Sequence, residues 1–318
     1  MSTKNRIVFM GTPEFAVEPL KRLLEKQYNV VAVVTVADKP SGRGLKLHPS
    51  PVKSFALEYN IPVLQPLKLN DSSFINELAT FNADLFIVVA FRKLPEVVWE
   101  LPKSGCFNLH ASLLPQYRGA APINHAIING EKITGVTTFF LNEGIDTGKM
   151  IMQRELSIDP DETAGELHDR MMVLGAELVL DTVEAIFSKN YTTINQPEIS
   201  TDLKKAPKIF REDCQIKWQL SARKVHDLIR GLSPYPGAWG TMNTSDGSKE
   251  LKVLKSKITG IKSDEIPGSI LINQNQVLIS CTDEYLEIIT IQPSGKKVMS
   301  MTDFLRGNRS KIFAFATP

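Results

Sequence analysis

The sequence predicts an α/β fold, a doubly wound parallel sheet followed by a small β-barrel, and three observations carry that expectation. Arg6-Ile7-Val8-Phe9-Met10 and Val30-Val31-Ala32-Val33-Val34-Thr35-Val36 are continuous apolar runs separated by a helical pattern. Strand, helix and strand in that order make a right-handed crossover, and runs without polar alternation suit strands covered on both faces of a Rossmann-like sheet. Near the C-terminus the pattern changes to short strands at close spacing, as in a barrel. Between them, Thr, Asn, Gln-Pro and Ala-Pro-Lys break the periodicity. We therefore expect a sheet domain over 1–190, a linker over 191–210 and a barrel domain over 211–318.

Along the chain, Gly11 ends the first strand, Thr12-Pro13 opens a helical turn, and Leu20, Leu23 and Leu24 share a helix face that runs to about Gln27. The turn Gly11-Thr12-Pro13-Glu14-Phe15-Ala16 lacks the second and third glycines of a dinucleotide fingerprint, and Pro13 stands where the backbone would approach a phosphate. A nicotinamide enzyme built on that motif is excluded. Residues 37–51 form a long connection rich in Pro and Gly, with Lys39, Arg43 and Lys46 upon it. A structureless loop of this length is usually functional or disordered. Gly42 and Gly44 free the backbone on either side of Arg43, so its guanidinium can be carried to a phosphate or into a nucleic-acid groove.

A helix over 52–59, a short strand over 62–65 and a helix capped by Asp71 follow. Asp84 to Ala90 is the next buried strand, and it ends in Phe91-Arg92. The breaker pair Ser104-Gly105 then introduces a strand that runs through Cys106 into Phe107-Asn108-Leu109-His110-Ala111-Ser112-Leu113-Leu114-Pro115. Asn108 and His110 are two apart, so on a strand both project from one face while Leu109 points into the core. An amide beside an imidazole forms a donor pair that binds the oxyanion developing on a carbonyl held against it. Taken alone, the two residues fit a loop cap and a satisfied core histidine better than an active site.

Downstream we expect a helix over 122–129 ending at Gly130, a strand over 135–141, a return strand over 150–156 and a long helix over 163–188. Leu167, Met171, Leu174, Leu178 and Thr182 share one face of that helix, and its methionines read as core filling. Gly144-Ile145-Asp146-Thr147-Gly148-Lys149 looks superficially like a phosphate loop, but its glycines are one residue too close and Met150 replaces the magnesium-binding hydroxyl. The C-terminal part begins with Ile216-Lys217-Trp218, a helix over 221–231 and the turn Pro234-Tyr235-Pro236-Gly237. Strands are expected at 251–258, 277–281 and 286–291.

With 42% hydrophobic and 23% charged residues in 318, the composition is that of a soluble enzyme with a sizeable core. No apolar run is long enough to span a bilayer, and the N-terminus leads into a strand without a signal-type segment, so a cytoplasmic protein is expected. Cys106, Cys214 and Cys281 are too scattered for a disulfide framework or a thiolate metal site, and the five histidines lack ligand spacing, so we expect no metal. The net charge of +2 hides a split: from Lys204 onward 18 Lys and Arg face 11 Asp and Glu, while residues 1–203 have 19 against 24. An imbalance of this kind fits either a polyanion partner or a plain solvated face.

Asn108-Leu109-His110-Ala111-Ser112-Leu113-Leu114-Pro115, followed by Tyr117-Arg118-Gly119-Ala120-Ala121-Pro122-Ile123, closely resembles the signature of enzymes that take a formyl group from 10-formyltetrahydrofolate. Within that superfamily the sequence is most similar to the branch that acts on methionyl-tRNA, and the likeness covers most of the chain. It implies a catalytic set of Asn108, His110 and Asp146, the last from the acidic loop 144–148. It implies a folate pocket at the strand ends lined by Phe91, Arg92, Ser112, Leu113, Leu114, Pro115 and Gly144. Phe91-Arg92 replaces the commoner Tyr-Gly, and Ala111 a commoner Gly, which changes local pocket shape rather than chemistry.

The resemblance also implies that the C-terminal barrel is of the oligonucleotide-binding type. Lys204, Lys205, Lys208, Arg223 and Lys224 would then track tRNA phosphates, and the Gly-Arg-Gly loop with Lys39, Arg43 and Lys46 would engage the acceptor end of initiator tRNA. The implied reaction is formyl transfer to the α-amino group of initiator methionyl-tRNA by a monomer. Formyl transfer to a small amine, hydrolysis of the formyl-folate, and tRNA binding without turnover remain alternatives; relatives acting on small substrates lack the Gly-Arg-Gly loop, and a pure binder has no use for the Asn, His, Asp set.

Overall fold

The computed structural model describes residues 5–41, 46–197, 202–245, 247–273, 276–307 and 312–315, with the side chains of 41, 46, 244, 312 and 313 set aside. Two compact units emerge. One comprises 1–119, 134–156 and 168–205, the other 120–133, 157–167 and 206–318.

The first unit opens with β1 (Arg6–Gly11), α1 (Val17–Glu25) and β2 (Asn29–Val34), the expected crossover. The stretch expected as a structureless loop instead folds into a hairpin of β3 (Lys39–Ser41) and β4 (Lys46–His48), with Lys39 opposite His48. Backbone pairing from Lys39↔His48 to Ser41↔Lys46 makes the ladder, which no apolar alternation in the sequence announces. Next come α2 (Pro51–Glu58), β5 (Val63–Leu64), α3 (Ser72–Thr80), β6 (Leu85–Val89), the short α4 (Glu96–Trp99) and β7 (Cys106–His110). Asp71 caps α3 by accepting from Ser73 N at 2.8 Å.

After β8 (Arg118–Gly119) and α5 (Pro122–Ile128) the chain makes β9 (Ile133–Phe140), β10 (Met150–Ser157) and the 25-residue α6 (Ala164–Ser188). The main sheet has the order β10-β9-β7-β6-β1-β2-β5. Its body is parallel, and β9 joins β7 in antiparallel register, Asn108 opposite Phe139 and His110 opposite Thr137. Period two sorts the side chains. Val8, Met10, Phe86, Val88 and Cys106 pack into one cluster with Phe74, Leu78, Leu94 and Val98. Leu109 faces the opposite side, where α6 comes so close that a Cβ on Gly175 would lie 2.8 Å from Leu109 Cδ2.

After β11 (Lys205–Ala206), where the chain passes from one unit to the other, the second unit carries α7 (Ala222–Gly231), β12 (Ala238–Thr244), β13 (Gly247–Lys262), β14 (Ile270–Asn273), β15 (Gln276–Ser280), β16 (Glu284–Pro293), β17 (Met299–Ser300), α8 (Met301–Arg306) and β18 (Ile312–Phe315). The antiparallel strands run in the order β14-β15-β16-β13-β12-β18, and a bridge between Ser269 and Ala314 joins the two ends into a nearly closed barrel. Register shifts along β13 bend this 16-residue strand enough to pair with β12 and β16. Trp218, Val225, Ile229, Val253, Ile279 and Leu286 fill the core. In this unit α5 meets α7, where Asn124 Nδ2 donates to Gly231 O at 2.8 Å and a Cβ on Gly231 would strike Ile128.

Candidate active site

Strand β7 delivers Asn108 and His110 to the carboxyl end of the sheet on one face, as their spacing requires. Asn108 is half-buried, and among the described residues its side-chain amide has no hydrogen-bond partner. His110 is buried, with Nε2 2.9 Å from the carbonyl oxygen of Tyr117. A carbonyl only accepts, so Nε2 carries the hydrogen. That settles the tautomer of the neutral ring and leaves Nδ1 facing outward, 3.8 Å from Asp146 Oδ2.

The acidic loop is braced at several points. Asn142 Oδ1 accepts from Gly144 N at 3.2 Å and from Thr147 Oγ1 at 2.9 Å. Asp146 itself has φ +55, a left-handed conformation that Asp tolerates better than most residues, and its Oδ2 accepts from Gly119 N at 3.0 Å. Gly148 has no alternative, since a Cβ there would collide with Phe140 O. Between carboxylate and imidazole the distance exceeds a hydrogen bond. The ring is therefore oriented by Tyr117, while Asp146 supplies charge.

Residues 112–116 form a rigid wall beside these groups. Thr137 Oγ1 donates to Ser112 O at 2.6 Å and accepts from Leu114 N at 3.1 Å. Gln153 Nε2 donates to Leu114 O at 2.8 Å, and Ser112 Oγ donates to Gln116 O at 2.6 Å. The Leu114–Pro115 peptide is cis. Ser112 and Leu114 are buried, whereas Leu113 and Pro115 are half-exposed. At the end of β6, Ala90 has φ +48 and turns the chain into Phe91 and Arg92. Arg92 donates to the carbonyls of Pro66 and Leu67 at 2.9 and 3.1 Å and stacks on Phe91, so its guanidinium braces a neighbouring loop; burial pushes its pKa down.

Of the basic residues, Lys39 is exposed on the hairpin, and Lys204, Lys205 and Lys208 are exposed on the connector. Lys208 Nζ lies 5.4 Å over the Phe210 ring. Arg43 and the side chain of Lys46 lie outside the described residues. Among the described residues no group of three or more His, Cys, Asp or Glu is arranged to hold a metal ion, and no helix is long and apolar enough to cross a membrane.

Sequence reasoning did not single out Tyr117, Thr137, Gln153 or Gln196. Thr137 was detectable, because a hydroxyl in the middle of the apolar strand β9 needs a partner. Gln196 donates to the carbonyls of Asp146 and Gly148 at 2.9 and 2.8 Å and gave no such signal.

The formyl transferase family profile matches residues 5–183, and that of the formyl transferase C-terminal domain matches residues 208–309. Methionyl-tRNA formyltransferase from Bacteroides thetaiotaomicron is 47% identical over 96% of both chains, and that from Parabacteroides distasonis 49% identical over 95% of both. Among solved structures, the N-formyltransferase from Helicobacter canadensis, in complex with folinic acid and dTDP-3-aminofucose, shares the fold with TM-score 0.64 at 22% identity, covering 91% of this chain and 99% of that one. HypX from Aquifex aeolicus, in complex with tetrahydrofolic acid, does so with TM-score 0.66 at 17% identity, over 95% of this chain and 47% of that one. With near full-length identity to such enzymes and matches to both domains, the chain belongs to the methionyl-tRNA formyltransferase family.

Proposed function

We propose that the protein transfers the formyl group of 10-formyltetrahydrofolate to the α-amino group of initiator methionyl-tRNA, giving formylmethionyl-tRNA for translation initiation. The observation that carries this is the pairing of His110 Nδ1 with Asp146 beside Asn108 on the same strand face, in a chain nearly half identical to methionyl-tRNA formyltransferases throughout. The acceptor amine arrives neutral and attacks the formyl carbon; the tetrahedral oxyanion is held by the Asn108 amide and by Nδ1–H of protonated His110. Collapse breaks the bond from carbon to N10; Nδ1 gives its proton, through water, to the departing nitrogen, and the proton lost by the amine then restores it. Asp146 balances the imidazolium charge, and Tyr117 keeps the correct nitrogen forward. No covalent enzyme intermediate is required.

In this reading residues 1–190 perform the chemistry, 191–210 connect, and 211–318 form the tRNA platform, a division that the two family matches support. Folate lies against Phe91, Arg92, Ser112 to Pro115 and Gly144, with Arg92 shaping the pocket through its loop contacts. Lys39, Arg43 and Lys46 meet the acceptor end, and Lys204, Lys205 and Lys208 meet backbone phosphates. The enzyme works as a cytoplasmic monomer. The test offers charged initiator tRNA, charged elongator methionine tRNA and free methionine as competing acceptors. Preference for the initiator supports the proposal; equal use of free methionine overturns it.

A further inference from the structure

The connector is tied to the sheet unit along its length. Ile194 exchanges two backbone hydrogen bonds with Met150, both 2.9 Å. Lys204 accepts from Tyr117 N at 2.7 Å and donates from its own N to Gln116 Oε1 at 2.8 Å. Between these ties lies Gln196, only 8% exposed.

Gln196 uses the full hydrogen-bonding capacity of its amide. Both Nε2 hydrogens are donated, to Asp146 O and Gly148 O, and Oε1 accepts from Arg118 Nε at 3.0 Å and Nη2 at 2.6 Å. The reverse amide orientation would set an oxygen against two carbonyls and an NH2 group against a guanidinium, so a single orientation survives. Asp146 occupies the left-handed region, where a non-glycine residue persists only when its surroundings hold it. Gln196 is the group that holds its carbonyl. Arg118, which opens β8 immediately after Tyr117, closes the bracket from the side that carries the His110 contact.

We propose that Gln196 is a positioning residue for Asp146, which makes the connector part of the active site rather than a tether. Its backbone fixes Tyr117, and through Tyr117 the His110 ring; its Gln196 side chain fixes the carboxylate opposite. The inference rests on the formyl-transfer reading above. Losing the bracket lets Asp146 relax and shift relative to Nδ1, and displacements near 1 Å cost about 10²-fold in rate.

The test measures single-turnover transfer by full-length Gln196→Leu and Gln196→Glu, each also in an Asp146→Asn background, with tRNA affinity, KM for the formyl donor and melting temperature alongside. Gln196→Glu keeps the acceptor for Arg118 and loses the donors, so it reports the bracket even where Gln196→Leu folds poorly. The expected result is a rate loss of about 10²-fold in the single variants, unchanged binding of both substrates, and no further loss when Asp146 is already Asn. A rate equal to wild type, a loss that multiplies in both backgrounds, or a loss confined to substrate binding overturns the inference. Wild-type protein that fails to formylate methionyl-tRNA overturns the functional reading instead, so the two failures are distinct.

Discussion

Nε2 of His110 donates to the carbonyl oxygen of Tyr117 at 2.9 Å, which leaves Nδ1 as the nitrogen 3.8 Å from Asp146 Oδ2 and, in the proposed reaction, the one that would meet substrate. An asparagine side chain reaches the Nδ1 position of a histidine, and a glutamine side chain the Nε2 position. His110→Asn should therefore retain part of the oxyanion donor, and His110→Gln should be no better than His110→Ala, which loses about 10²–10³ in rate. Single-turnover rates of the three variants decide it. If Gln outperforms Asn, Nε2 is the working nitrogen.

In the sequence Arg43 falls between the segments that form β3 and β4 and is flanked by Gly42 and Gly44. RNA recognition favours unpaired ends, and an initiator tRNA without a normal first acceptor pair offers one at low cost. Lysine keeps the charge but not the fork of the guanidinium. Arg43→Lys should lose some kcat/KM for initiator tRNA and Arg43→Ala more, with KM for the formyl donor unchanged. An unaltered ratio of initiator to elongator use in Arg43→Ala would make the hairpin a passive insertion.

The excess of basic residues after Lys204 predicts strongly salt-dependent tRNA binding, with a log–log slope of about −0.7 to −0.9 per phosphate contact. Replacing Lys204, Lys205 and Lys208 together by Ala should flatten that slope and leave single-turnover transfer at saturating tRNA near the wild-type rate. Filter binding across a salt series reads the effect. A slope identical to wild type would move the phosphate contacts elsewhere.

His226 is buried in the barrel unit, with Nδ1 3.0 Å from Ser256 Oγ and Nε2 3.2 Å from Asp161 Oδ1. Burial pushes its pKa below the ordinary 6.5, outweighing the upward pull of Asp161 and Asp227; Arg230 and Arg223 add to the depression. The neutral ring is therefore favoured in the folded state. Stability from this group is complete above the unfolded value and is lost as pH falls below it toward the folded pKa. Melting temperatures taken between about pH 8 and pH 5 should fall more steeply for wild type than for His226→Gln. Parallel curves would exclude His226 as the titrating group.

How much of this was visible beforehand follows from the reach of each interaction. β1, β2 and β6 were legible because strands covered on both faces must be apolar throughout. Asn108 and His110 were legible because the strand period alone puts them together. The β3–β4 hairpin was not, since Pro40 and the glycines mask its pairing. In the barrel, β12 and β18 hold Gly240, Asn243 and few alternating residues, and only their distant partners make them strands. Tyr117 acts through a backbone carbonyl that every residue possesses, and Gln196 reaches Asp146 from 50 residues away. No local pattern records either contact.

In the proposed reaction Asn108, His110 and Asp146 perform the transfer together. The most direct measurement is the single-turnover rate of formyl transfer to initiator methionyl-tRNA for Asn108→Ala, His110→Ala and Asp146→Ala, with tRNA affinity measured in parallel. Each variant should bind tRNA as wild type does and lose about 10²–10³ in rate, and the triple variant should lose far less than the product of the three. A near wild-type rate in any single variant would remove that residue from the set, and losses that multiply fully would contradict a concerted site.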